Sequence, residues 1–217
     1  CPLPFNYKTI DEIVELNSTL KKSKITSLYN NIPIPLASNF DQWIQVVRGK
    51  GNPSIKTYND FFKYVDYAHD KGFKVTYLMN SPKAFSPKNF NTFKGEFYRL
   101  LNEVKKHNIK DIKVASTQVA GLINDYAPNE FNYSASTAFE YTSMSQYENL
   151  FTIFDNFTLI DITSSENQNF ALLKSLRKRF PDKKIEIMLN EGCVKRCPSR
   201  NECLPGAVFS CRDLKRK

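Results

Sequence analysis

The sequence predicts a parallel α/β fold, a TIM-barrel-like (βα) repeat that is incomplete at six or seven strands and followed by a Cys-rich C-terminal segment. Three observations carry this. Strand-like and helix-like periods alternate along most of the chain, which is the pattern of βαβ units. The Gly-rich phosphate turns of the alternative, a doubly wound sheet, are missing: neither G-x-G-x-x-G nor a Walker pattern occurs. Four of the five cysteines lie between residues 193 and 211. The expected division is a barrel unit over residues 1–192 and a basic, Cys-rich segment over 193–217.

The elements follow in order. Residues 2–5 could add a short first strand. Residues 9–22 place Ile10, Ile13, Val14 and Leu20 on one side of a helix that starts at Thr9. Residues 25–30 read as a strand, and 31–56 as a Pro- and Gly-containing loop around a short helix near Trp43. Thr57 then caps a helix over 58–71, with Asp60 in the capping-box position and Gly72 as its stop. Strands are expected at 74–79, 111–115, 131–135, 157–162 and 184–189. Helices are expected at 92–107, 118–126, 143–155 and 167–180.

Composition narrows the function classes. The 217 residues are 41% hydrophobic and 13% aromatic, enough apolar material for a real core, which excludes wholesale disorder. No apolar run approaches the length of a membrane-spanning helix, and the first residues lack the layout of a signal peptide. A cytoplasmic protein without a membrane partner is expected. The net charge of +9 suits a polyanion such as RNA. It is concentrated after residue 194, where seven cations face only Glu202 and Asp213. A solvated terminus explains that run as well as a phosphate-binding tail does.

In either parallel fold, ligands bind beyond the carboxyl ends of the strands. Asn80, Ser116, Ser134, Asp161, Asn190 and Glu191 occupy such positions and are expected to surround one cavity. Asp161 and Glu191 are the carboxylates among them, so acid–base or orienting work falls to these two, beside Asn190. Asn80, Ser116 and Ser134, with Arg200 beyond the last strand, are expected to bind substrate. Each small polar residue also reads simply as a turn or cap.

The cysteines have the spacing C-x3-C-x5-C-x7-C at Cys193, Cys197, Cys203 and Cys211. Clustering at one end of a chain is unlike a disulfide framework, which spreads its cysteines. The zinc-knuckle spacing C-x2-C is absent, so zinc is an alternative rather than the first choice. The C-x3-C-x2-C of radical enzymes using S-adenosylmethionine does not fit either. A [4Fe-4S] iron–sulfur cluster needs converging thiolates without strict spacing, and Cys1 could replace one ligand. The two histidines, His69 and His107, sit at predicted helix ends, where positive charge suits the dipole. No G-x-S-x-G or H-E-x-x-H pattern supports an ordinary serine or zinc protease.

The stretch Ile-Glu-Ile-Met-Leu-Asn-Glu-Gly-Cys-Val-Lys-Arg-Cys-Pro-Ser-Arg at 185–200 resembles peptidase family U32, the collagenase-like proteases, in the branch whose block reads E-x-x-x-N-x-G-C-x-x-x-C-P-x-R. The helix Tyr-Val-Asp-Tyr-Ala-His at 64–69, followed by a strand ending at Asn80, is similar to another family segment, and 114–116, 134–137 and 160–161 fall where its next strands end. The resemblance implies a TIM-like barrel. It also implies a peptidase or, as several members resemble, an oxygen-independent hydroxylase of RNA or a ubiquinone ring with four-cysteine iron–sulfur ligation. Cys193 and Cys197 match the block; Cys203 and Cys211 rest on their clustering. Asn167, Gln168 and Asn169 stand where the family often has Asn-Arg-Asp, which removes an arginine and an acid. A last strand with a Gly-Arg end is missing after the cysteines, so no closing eighth strand is expected. Three functions compete: a redox modification enzyme acting on RNA, a peptide or another anionic substrate; a U32-type peptidase; and a non-catalytic barrel fragment that a protein partner completes.

Overall fold

A computed structural model describes residues 2–32, 55–80, 87–154, 156–162 and 166–187. Six strands form one sheet: β1 (Ser27–Asn30), β2 (Lys74–Met79), β3 (Asp111–Val114), β4 (Asn132–Ala135), β5 (Phe157–Ile162) and β6 (Lys184–Ile187). Their order in space is their order in the chain, and every neighbouring pair is parallel. A doubly wound sheet would reverse direction at a switch point. Sequential order with right-handed crossovers instead puts every helix on one face and curls the sheet into part of a barrel. The first residues add little: Pro2 makes a single parallel bridge to Tyr29, and the Leu3 amide donates to the Tyr29 carbonyl at 2.9 Å.

The helices are α1 (Tyr7–Thr19), α2 (Tyr58–Asp70), α3 (Pro87–Lys106), α4 (Thr117–Tyr126), α5 (Met144–Ile153) and α6 (Phe170–Arg179), with a short 3-10 turn at Thr137–Phe139. Local chemistry sets most boundaries. The Thr57 hydroxyl accepts from the Asp60 amide at 3.1 Å, and the Asp60 carboxylate accepts from the Thr57 amide at 3.0 Å, which completes the expected capping box. Gly72 takes a φ of +84°, the left-handed stop that a side chain would resist.

Two helices start earlier than the sequence reading. Helix α1 starts before Thr9, capped by Asn6, because Tyr7 stacks on Tyr64 of α2 at 4.4 Å. Its inward stripe is narrow: Ile10 is fully buried, whereas Val14 is exposed. Helix α3 begins at Pro87 rather than 92, and Phe90 packs edge-on against Phe97 at 5.9 Å. The reading of 31–56 falls largely on residues outside those described.

The core lies between sheet and helices. Leu28, Val75, Tyr77, Met79, Ile112 and Val114 from the strands meet Phe61, Phe62, Val65, Leu101 and Val104 from α2 and α3, all buried. By the pleat, the alternate strand residues project to the other, concave side. β5 departs from a regular pleat. Tyr133 pairs with Phe157 but Ser134 pairs with Leu159, so β5 carries one extra residue there. The shift lets both Phe157 and Ile160 face the helices, where each is fully buried.

Tyr133 leaves a defect in this core. Its hydroxyl is buried and makes no hydrogen bond among the described residues. Burial pushes the phenol's pKa up to about 12, and the nearby Asn156 amide donates to the Phe131 carbonyl instead. Tyr133→Phe removes an unsatisfied polar group at nearly constant shape. It should leave stability unchanged or raise it by about 1 kcal/mol, read from the urea midpoint.

Candidate functional site

The concave face is where this sheet departs from a filled barrel, whose interior is typically packed with branched apolar residues. Lys113 of β3 projects there, flanked by Ile112 and Val114, which point to the helices. Its register partner on β4 is Ser134. Because Ser134 is small, the lysine stem can pass over β4 and reach the strands beyond. Lys113 Nζ lies 2.7 Å from Oδ2 and 2.9 Å from Oδ1 of Asp161 on β5, and 3.0 Å from Oε2 of Glu186 on β6. Asp161 and Glu186 are themselves register partners. The Tyr29 ring of β1 lies on the other side of the ammonium, its centroid 5.8 Å from Nζ.

Burial grades the triad. The side chain of Asp161 is 3% exposed, that of Lys113 12%, and that of Glu186 50%. Burial pushes the Asp161 carboxyl up to about 7; Lys113 opposes this, and the Glu186 carboxylate adds to it. Glu186 moves the opposite way, held below the usual carboxylate range by its hydrogen bond with Asp161 and by Lys113. For Lys113, burial disfavours the cation, but the two carboxylates outweigh it and the ammonium is held more firmly than usual. Two carboxyls beside one ammonium thus keep a single proton close to neutral pH, with Asp161 as its holder.

Of the residues expected to form a site, Asp161 and Ser134 lie on this face. Asn80 directly follows β2. Ser116 is the N-cap of α4, its hydroxyl accepting from the Gln118 amide at 3.2 Å. Asn190, Glu191, Arg200, Cys1 and the four clustered cysteines lie outside the described residues. Among the described residues, no three metal-ligating side chains converge.

Lys113 and Glu186 were assigned no role from sequence. A signal was present: Asp-Ile-Lys-Val and Lys-Ile-Glu-Ile each alternate apolar with charged residues, and their charges are opposite. What the sequence lacks is the knowledge that strands three apart would bring them together.

Two further polar side chains have structural partners. His107 stacks on Phe62 at 4.3 Å, and its Nδ1 sits 2.8 Å from the Asp66 carboxylate. Asn169, which stands where the resembled family often has an acid, caps α6 by accepting from the Leu172 amide at 3.1 Å. A groove of about 370 Å³ lined by Tyr58, Arg99 and Glu103 lies between α2 and α3, on the helical side of the sheet.

No protein-family model matches the sequence, and no curated protein matches it. One solved structure, described as that of a U32 peptidase, aligns over 80% of this chain at 16% identity with a TM-score of 0.46. The alignment spans 63% of that protein, so this chain covers less than two thirds of its length. Among the described residues, no helix is long and apolar enough to cross a membrane.

Two outcomes follow from the triad. Lys113→Met leaves two carboxyls without their cation and should cost about 3 kcal/mol near neutral pH. The loss should shrink towards pH 5, where a proton replaces the missing charge, as thermal melts across that range will show. The raised Asp161 carboxyl contributes stability that is full below its unfolded range near 4 and is lost as pH rises through about 7. Glu186, depressed, contributes with the opposite sign at lower pH. From pH 5 to 8 the wild type should therefore lose on the order of 2–3 kcal/mol relative to Asp161→Asn.

Proposed function

We propose that this chain is a U32-like, barrel-scaffold redox modification enzyme of the oxygen-independent hydroxylation type, acting in the cytoplasm on RNA or another anionic or peptide substrate. In this reading Cys193, Cys197, Cys203 and Cys211 would hold a [4Fe-4S] cluster, with zinc as the alternative occupant. Residues 1–192 form the barrel unit and 193–217 the ligand-bearing segment.

One observation carries the reading. β6 ends at Ile187 on the carboxyl-end rim of a parallel sheet, and Cys193 follows six residues later. Six residues reach at most about 20 Å, which is enough for the first thiol to come to the rim where parallel folds bind ligands. The donor set fits the group: four soft thiols lie within nineteen residues, and the neighbouring Lys195 and Arg196 offset thiolate charge. A bound cluster would supply one-electron transfer. The chain's own part would be to orient the substrate and move protons. Asp161, with Asn190 and Glu191, is suited to the proton work, and Asn80, Ser116, Ser134 and Arg200 to hydrogen bonding with substrate.

The full-length chain, purified without oxygen, should be brown and contain about four iron and four sulfide per chain. Cys193→Ala and Cys197→Ala should each abolish the colour. One tightly bound zinc in a colourless protein would replace the redox reading with a structural or hydrolytic one. Metal-free protein with full thermal stability would overturn it.

A further inference from the structure

The chemistry of the concave face extends beyond Asp161 alone. We propose that Lys113, Asp161 and Glu186 form a proton-transfer site, in which the two carboxyls share one proton, Lys113 fixes it there, and Glu186 presents it to an uncharged hydrogen-bond acceptor, a carbonyl or ring nitrogen, on the concave face. This deepens the assignment of acid–base work to Asp161 and is independent of what the cysteines bind.

The geometry supports each part. Lys113 Nζ donates to Oδ1 of Asp161 at 2.9 Å and to Oε2 of Glu186 at 3.0 Å, and Oδ2 of Asp161 lies 2.7 Å away. The lysine is held by both carboxyls, so its role is positioning. Asp161 is buried and Glu186 is half-exposed, so among the described residues Glu186 is the carboxyl of the pair that meets solvent. The charged groups around Asp161 are Lys113 of β3 and Glu186 of β6, while on β4 the uncharged Ser134 pairs with Leu159, two residues before Asp161. Asp111 and Lys184 stand two residues earlier on β3 and β6, and Tyr29 of β1 lies beyond the ammonium.

With one proton bound, the triad carries an ammonium, one carboxylate and one carboxylic acid, and is neutral. Transfer of that proton leaves the triad with one negative charge and the acceptor with one positive charge; no electrons move. A neutral site that becomes anionic gives no attraction to a phosphate. It does favour an acceptor that becomes cationic as it is protonated, since the opposite charges form side by side. The carboxyl that rises towards neutrality is also the one shielded from water, as a general acid at physiological pH requires.

Infrared titration of the full-length chain tests this. The wild type should show one protonated-carboxyl C=O band at pH 6 that disappears near neutrality and is absent from Asp161→Asn. Glu186→Gln removes the neighbouring like charge and should lower the midpoint by about one unit or more. Lys113→Met should raise it by a similar amount, and Lys113→Arg should restore the wild-type midpoint. Adding acetamide, a neutral carbonyl probe, should shift the band in the wild type and not in Glu186→Gln. Fully ionised carboxyls at pH 6, a midpoint that Glu186→Gln leaves unmoved, or a band blind to acetamide would overturn the proposal. Glu186 is half-exposed, so its variant folds even if Lys113→Met does not. The iron and sulfide content of the same preparation reports separately on the cysteines.

Discussion

The extra residue at the start of β5 is the constraint on which the candidate site depends. In an unbroken pleat, Phe157, Leu159 and Asp161 would share one face. Phe157 is fully buried among aromatic side chains of the helical layer, 5.8 Å from Phe154 and 6.4 Å from Phe139. Asp161 would then be driven into the same apolar layer with no cation in reach, which costs several kcal/mol for a carboxylate. The register shift between Tyr133 and Ser134 inverts the parity once. Phe157 stays with the helices, Ile160 and Ile162 take the next buried positions, and Asp161 is turned to the concave side. Bulges commonly re-aim a side chain beside a functional site.

What Asp161 meets there is equally conditional. Lys113 reaches across β4 and two residues along the strands to meet it, past its small register partner Ser134. A leucine at 134 would block the lysine stem and leave two carboxyls unbalanced. Such a triad is a poor device for stability, since the desolvation of its charges offsets most of their attraction. A closed barrel would fill the same volume with branched apolar side chains. The concave face therefore gives up packing for polar groups of controlled protonation, and the stability of the molecule resides in the other face, where strands and helices bury a continuous apolar layer.

The small polar residues at the strand ends divide between two uses. Ser116, Ser136 and Asn169 are engaged in capping amides, at 3.2, 3.2 and 3.1 Å. Ser134, inside β4, is the one whose size matters to the charged cluster. Strand-end polarity in a parallel fold thus reflects helix starts as much as ligand contacts, because each strand leads directly into the next cap.

The sequence by itself determined the alternation of elements, the parallel class and the Thr57 capping box with its Gly72 stop. These are local: Thr57 and Asp60 find each other three residues apart, and the apolar face of each helix is written in its own period. It also marked Asp161 as a carboxylate near a strand end. Tertiary structure alone decided the rest. The early start of α1 goes with Tyr7 meeting Tyr64 of α2, and the exposure of Val14 with the way α1 packs. Lys113 and Glu186 are separated by 73 residues, and each looks like an ordinary solvent-facing residue on its own strand. Only the order of the strands, the parity change in β5 and the smallness of Ser134 bring them to one buried carboxyl, because charge pairing across a sheet is fixed by register and not by local propensity.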